Sequence, residues 1–137
     1  MREILFRGKD SITKRWVYGA LVQQQGNPLK EKAFIISYSN YQFGDFSEAV
    51  MHEIDANTPG QYTGFVDKKG KKIFEDDIVS IYNSKAFLFA VAWKDNQYIL
   101  KCTTNGVSDN ILNVIESPED VEVVGNIYDN PELIKEQ

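Results

Sequence analysis

Few residues in this chain have side chains that could do chemistry. His52 is the sole histidine and Cys102 the sole cysteine, and with Asp55 they supply, in type if not in spacing, a base, an orienting carboxylate and a nucleophile. The surroundings of Cys102 argue otherwise. Leu100 and Thr103 beside it read as strand, which puts the thiol on an inward face as a small buried hydrophobe. A single histidine also provides no pair for zinc or for proton relay. Glu75-Asp76-Asp77 is the one dense carboxylate cluster, and a hard cation such as magnesium accepts oxygens of this kind. Neighbouring residues on a strand point to opposite faces, however, and no EF-hand-like spacing accompanies them, so a solvated turn entering a strand is the better reading. A metal-dependent enzyme using Glu75 and Asp77, with help from His52, is the alternative. Gly60, Gly64 and Gly70 punctuate hairpins instead of joining a strand to a helix, so they form no phosphate loop. We therefore assign no catalytic residue, no metal ligand and no cofactor.

Two constellations suit binding better than catalysis. Lys68, Lys69, Lys71 and Lys72 flank a hairpin tip with Tyr62, Phe65 and Phe74 nearby, and cations interleaved with aromatics hold single-stranded nucleic acid by charge and stacking. The plainer role of such lysines is to solvate an exposed hairpin and guard its edges. Tyr38, Tyr41, Phe43 and Phe46 stand among Ser39, Asn40, Gln42 and Gly44, a mixture of aromatic, polar and flexible residues found on recognition surfaces. These four are the candidate partner-binding residues.

The elements that must carry these groups are mostly strands. Glu3 to Phe6 and Trp16 to Val22 form an opening hairpin around Gly8-Lys9-Asp10-Ser11, and Ala33 to Tyr38 resumes the β pattern after the polar stretch 23–32. Asp45 to Met51 suggests a short helical turn without convincing caps. Asp67-Lys68-Lys69-Gly70 puts a glycine where a tight reversal needs positive φ, between arms Phe65-Val66 and Lys72 to Phe74. Five further runs, Ile78 to Tyr82, Phe87 to Trp93, Tyr98 to Thr103, Ile111 to Ile115 and Val121 to Tyr128, alternate with turns and suggest a small barrel. Asn130-Pro131-Glu132 predicts a short terminal helix, with Asn130 as its cap.

A length of 137 residues with 42% hydrophobic side chains suits a folded chain with its own core. With one cysteine no internal disulfide forms, and no run approaches the ~20 apolar residues that cross a bilayer, so a reducing cytoplasm is the expected setting and no membrane partner is expected. The net charge of −5 is unevenly spread. Residues 1–64 balance seven basic against seven acidic groups, whereas from Glu116 onward seven acids face Lys135 alone. Such a surface repels nucleic acid and attracts a basic protein.

Three stretches resemble the YopX family of phage and prophage proteins. They are Met1 to Lys9 with Trp16-Val17-Tyr18-Gly19, then Gly60 to Glu75 with Asp77-Ile78-Val79, and Val123 to Tyr128 with Asn130-Pro131-Glu132-Leu133. The resemblance implies a mainly β (α+β minor) fold in which an SH3-like five-stranded barrel, residues 65–137 with the short terminal helix, packs with a β-rich portion, residues 1–64, as one compact unit. It implies no activity. Where the family has Gly before Asp-Ile-Val, this chain has Asp76, a residue type that tolerates φ > 0 at modest cost. The expected function is that of a non-enzymatic accessory protein that binds another protein, or a second copy of itself, with a single-stranded nucleic-acid binder using Lys68 to Lys72 as the alternative.

Overall fold

The computed structural model describes residues 2–24, 31–38, 49–82, 88–103, 110–111 and 120–134. Its strands are β1 (Phe6–Lys9), β2 (Trp16–Gln23), β3 (Ala33–Tyr38), β4 (Ala49–Ile54), β5 (Gly60–Val66), β6 (Lys72–Phe74), β7 (Asp77–Ile81), β8 (Leu88–Lys94), β9 (Gln97–Cys102), β10 (Asn110–Ile111) and β11 (Val121–Asn126). Among the described residues the fold is thus mainly β, built on two antiparallel sheets, neither of them closed. Among the described residues no helix is long and apolar enough to cross a membrane. The chain divides into two compact units, Met1–Gln61 and Tyr62–Gln137, with the boundary inside β5.

In the first unit the strands follow the order β4-β3-β2-β1, and Gly60 and Gln61 pair with the far side of β1. Pairing of Leu21 with Ile35 and of Ala33 with Ile54 puts one set of side chains on a common face. There Ala33, Ile35 and Ile54 are buried, with Phe6, Val17 and Leu21 packed on them. The opening hairpin turns later than its glycine suggests, because Asp10 directs the reversal. Its Oδ1 accepts from the backbone N–H groups of Ile12 and Thr13, and its carbonyl accepts from Lys14, so Gly8 and Lys9 stay in strand. The end of β4 bridges back to this turn through Asp10 and Ile54. The helical turn expected over Asp45 to Met51 is not what forms where that stretch is described: Ala49, Val50 and Met51 belong to β4, held by register with Tyr38, Ser37 and Ile36. A β-branched residue beside a ready partner strand favours the ladder over an uncapped helix.

The second unit holds the β5–β6 hairpin and a five-stranded sheet in the order β10-β9-β8-β7-β11. Its core is Ile73, Val79, Ile81, Phe89, Val91, Leu100 and Val121, with Tyr98, Cys102 and Val123 against it. β8 alternates between half-buried and buried side chains until Trp93, which is 55% exposed and meets its cross-strand partner Tyr98 edge-on at 4.7 Å. β8 and β9 reverse through Asp95 and Asn96 at φ 53° and 62°, both left-handed as two-residue loops with the sheet's twist require. The terminal helix reduces to one 3-10 turn, Pro131–Leu133, and Asn130 makes no side-chain cap on it, because its carboxamide oxygen instead accepts from the Asn126 N–H at 3.1 Å.

Candidate functional site

The lysine hairpin is organised by Asp67, which is 3% exposed. Its Oδ1 accepts from the N–H groups of Lys69 and Lys71, both at 2.9 Å, and its Oδ2 from that of Val123 in β11 at 3.0 Å. Gly70 completes the reversal at φ 78°, as the sequence predicts. Two of the four lysines are committed to one acid: Lys68 Nζ and Lys69 Nζ lie 3.1 and 3.0 Å from the two oxygens of Glu122. The hydrogen bond and charge of Glu122 hold the Lys69 ammonium above its ordinary range, and the two lysines hold Glu122 below the ordinary carboxylate value. Lys72 Nζ sits 5.4 Å from the centroid of the Tyr62 ring. Lys71 is exposed and gives its backbone N–H to the turn.

The acids at 75–77 do not share one environment. Asp77 is 1% exposed, so it is no solvated turn residue, and its Oδ2 accepts from the Phe74 N–H at 2.8 Å to close the turn into β7. Asp76 stands at φ 70° and accepts the Tyr128 hydroxyl at 3.0 Å. Among the described residues no three His, Cys, Asp or Glu side chains converge as a metal-ligand set. His52, on β4, turns its Nδ1 to Asp10 Oδ2 at 3.2 Å and its Nε2 to Ser37 Oγ at 3.1 Å. Asp55, which composition pairs with His52, instead accepts the Asn57 N–H in its own turn, and Cys102 packs on the core of the second unit. Asp10 and Ser37 carried no signal in the sequence, because sheet register, and no linear spacing, brings positions 10, 37 and 52 together.

The aromatic candidates divide. Tyr38 ends β3 opposite Ala49, whereas Tyr41, Phe43 and Phe46 lie outside the described residues. The first unit's second face is better defined. Register aligns Arg7 with Tyr18, Ala20 with Ile36, Val22 with Phe34 and Ile36 with Met51, so these side chains share the face opposite the Ile35 core. Tyr18 and Val22 are each 45% exposed and Met51 62%, with Phe34 and Ile36 half-buried between them. At one end the Arg7 guanidinium covers Trp16 at 4.6 Å, and at the other Lys32 and Glu53 pair at 3.9 Å.

The family model described as YopX protein matches residues 5–135. The chain belongs to the YopX family. Two solved structures align with it along nearly their whole lengths. Protein EF1440 from Enterococcus faecalis is 23% identical, with a TM-score of 0.53 over 98% of this chain and 100% of that one. Protein yopX from Bacillus subtilis is 14% identical, with a TM-score of 0.48 over 100% of this chain and 99% of that one. Comparison with curated proteins finds no match.

The YopX stretches of this chain that the structure describes hold the fold in place. Gly125 leaves room for Asn130, whose Oδ1 would stand 2.4 Å from a Cβ there. Asn126 then folds its side chain onto the N–H groups of Tyr128 and Asp129, at 3.0 and 2.9 Å, and Tyr128 reaches back to Asp76. Asp76, where the resemblance implies a glycine, thus does adopt positive φ, and its carboxylate accepts the Tyr128 hydroxyl against the strain of that backbone.

Proposed function

We propose that this YopX chain is a phage or prophage accessory protein that acts in the bacterial cytoplasm by binding another protein through the outer face of its N-terminal sheet. The observation that carries this reading is the row of exposed Tyr18, Val22 and Met51 around Phe34 and Ile36. A sheet face of aromatic, branched and thioether side chains facing water has the composition of an interface core, rimmed here by the exposed Lys32 and Glu53. Nucleic acid is the weaker partner, since Glu122 ties up the Lys68 and Lys69 ammonium groups and offsets half of their charge, and Lys72 is drawn over Tyr62. At finer grain we read residues 65–137 as an SH3-like five-stranded barrel with a short terminal helix. Support comes from its five short antiparallel strands, the adjoining β5–β6 hairpin and the Pro131–Leu133 turn.

The test compares wild type with a Val22→Glu, Met51→Glu double variant as bait in lysogenic cells, alongside sedimentation of the purified chain. Burying two carboxylates in an apolar contact should lower partner recovery by at least about tenfold while Lys71→Glu leaves it unchanged. A self-associating chain would instead show a concentration-dependent mass that the double variant abolishes. Equal recovery with all three baits and a monomer throughout would remove the reading.

A further inference from the structure

Asp10 at the end of β1, Ser37 on β3 and His52 on β4 form one hydrogen-bonded chain within the first unit. Its polarity is fixed by the acid. The N–H groups of Thr13 and Ile12, and then His52, hold the Asp10 carboxyl below its ordinary value, so at neutral pH it is ionised and can only accept. His52 Nδ1 must therefore carry the proton of the neutral imidazole, and Nε2 is left with a lone pair. The Ser37 hydroxyl, 3.1 Å away, then has to be the donor. A serine donating to an imidazole whose other nitrogen is oriented by a carboxylate is the arrangement that activates a hydroxyl nucleophile. The chain is also reachable: the His52 side chain is 25% exposed, Ser37 is half-buried, and its cross-strand neighbour Val50 is exposed.

We propose that Ser37 is a nucleophile for acyl transfer from carboxylic esters, with His52 as its general base and Asp10 as the positioning residue. Ser37 Oγ bonds to the ester carbonyl carbon as His52 Nε2 takes the hydroxyl proton. The bond to the alkoxy group then breaks, the alcohol leaves with the proton from Nε2, and acyl-Ser37 remains. Water attacks the same carbon, passes its proton to Nε2, and releases the carboxylic acid as Ser37 recovers its hydrogen. The proposal does not depend on the binding surface, which lies on the opposite face of the same sheet.

The same hydrogen bonds would also suit a simple strut between strands, so the test needs a readout that a strut would not move. Purified full-length chain is treated with an alkyl fluorophosphonate, which forms a bond from Ser Oγ to phosphorus as fluoride leaves and the proton passes to His52. The expected result is an adduct mapped to Ser37 by peptide mass spectrometry and absent in Ser37→Ala. His52→Gln hydrogen-bonds but cannot serve as base. Asp10→Asn keeps an oxygen for Ile12 and Thr13 while its NH2 donates to Nδ1, moving the imidazole proton to Nε2. Both variants should label at least ~100-fold more slowly than wild type. Wild-type chain that gives no Ser37 adduct overturns the proposal. So does labelling of His52→Gln or Asp10→Asn at the wild-type rate.

Discussion

Replacing Asp67 by alanine should destabilise the second unit more than any other single truncation of a polar side chain there. The Val123 N–H in β11 would lose its carboxylate acceptor, and a half-buried donor left without one costs about 1–3 kcal/mol. The turn N–H groups of Lys69 and Lys71 would exchange a charged acceptor for water, about 0.5–1.5 kcal/mol each. Together the loss is about 4 kcal/mol, a large part of what a domain of this size has. Asp67→Asn keeps one acceptor oxygen and turns an NH2 toward the donor or donors on the other side, so it should fall about halfway. The two tryptophans make the assay specific to one unit: Trp16 lies in the first and Trp93 in the second. Urea unfolding of Trp16→Phe chains followed by Trp93 fluorescence then gives the change from midpoint and slope. A loss below about 1 kcal/mol for alanine, or asparagine indistinguishable from wild type, would refute the view that this carboxylate ties the hairpin to β11.

At Asp76, glycine relieves the left-handed backbone and forfeits the Tyr128 hydroxyl, so Asp76→Gly should be near neutral, while Asp76→Ala should lie about 1–2 kcal/mol below it in the same urea assay. Gly125→Ala should cost about 2 kcal/mol by pushing the Asn130 carboxamide off the Asn126 N–H, and less in an Asn130→Ala background, where only the Cβ of residue 130, 3.2 Å away, remains in contact; equal costs in the two backgrounds would contradict the packing described. Asp10 and Glu122 both sit below their ordinary values of 3.8 and 4.5, so the stability they confer is full above those values and should drain away as pH falls through their lower folded ones. The raised Lys69 acts in the opposite sense, its contribution fading as pH climbs beyond 10.5. Thermal midpoints across pH, with Glu122→Gln flattening the acid limb, check both signs.

Much of the strand order was legible because turn chemistry and β-formers agree. Asp67 to Gly70, Asp95-Asn96 and the run Ile78 to Tyr82 each lie within a residue or two of the observed element. Sequence reasoning failed where the hydrogen bond or ion pair that one side chain finds decides the local outcome. Asp10, and not Gly8, ends β1, because its carboxylate finds the Ile12 and Thr13 N–H groups. Asn130 looks like a helix cap until Gly125 gives it a closer partner. The lysines of the hairpin read as a basic patch only so long as Glu122, more than fifty residues later, is not seen to face them. The outer face of the first unit was illegible for a related reason. Trp16, Tyr18 and Met51 become one surface through strand register, which periodicity within a single strand does not reveal.

The interaction reading rests on the face that bears Met51, and a photo-crosslinker placed there tests it most directly. With benzoyl-phenylalanine at position 51 of the chain expressed in lysogenic bacterial cells, illumination should yield a discrete covalent adduct of higher mass, whereas the same group at position 71, on the exposed hairpin tip, should yield none. No adduct from position 51, or the same adduct from both positions, would contradict the account.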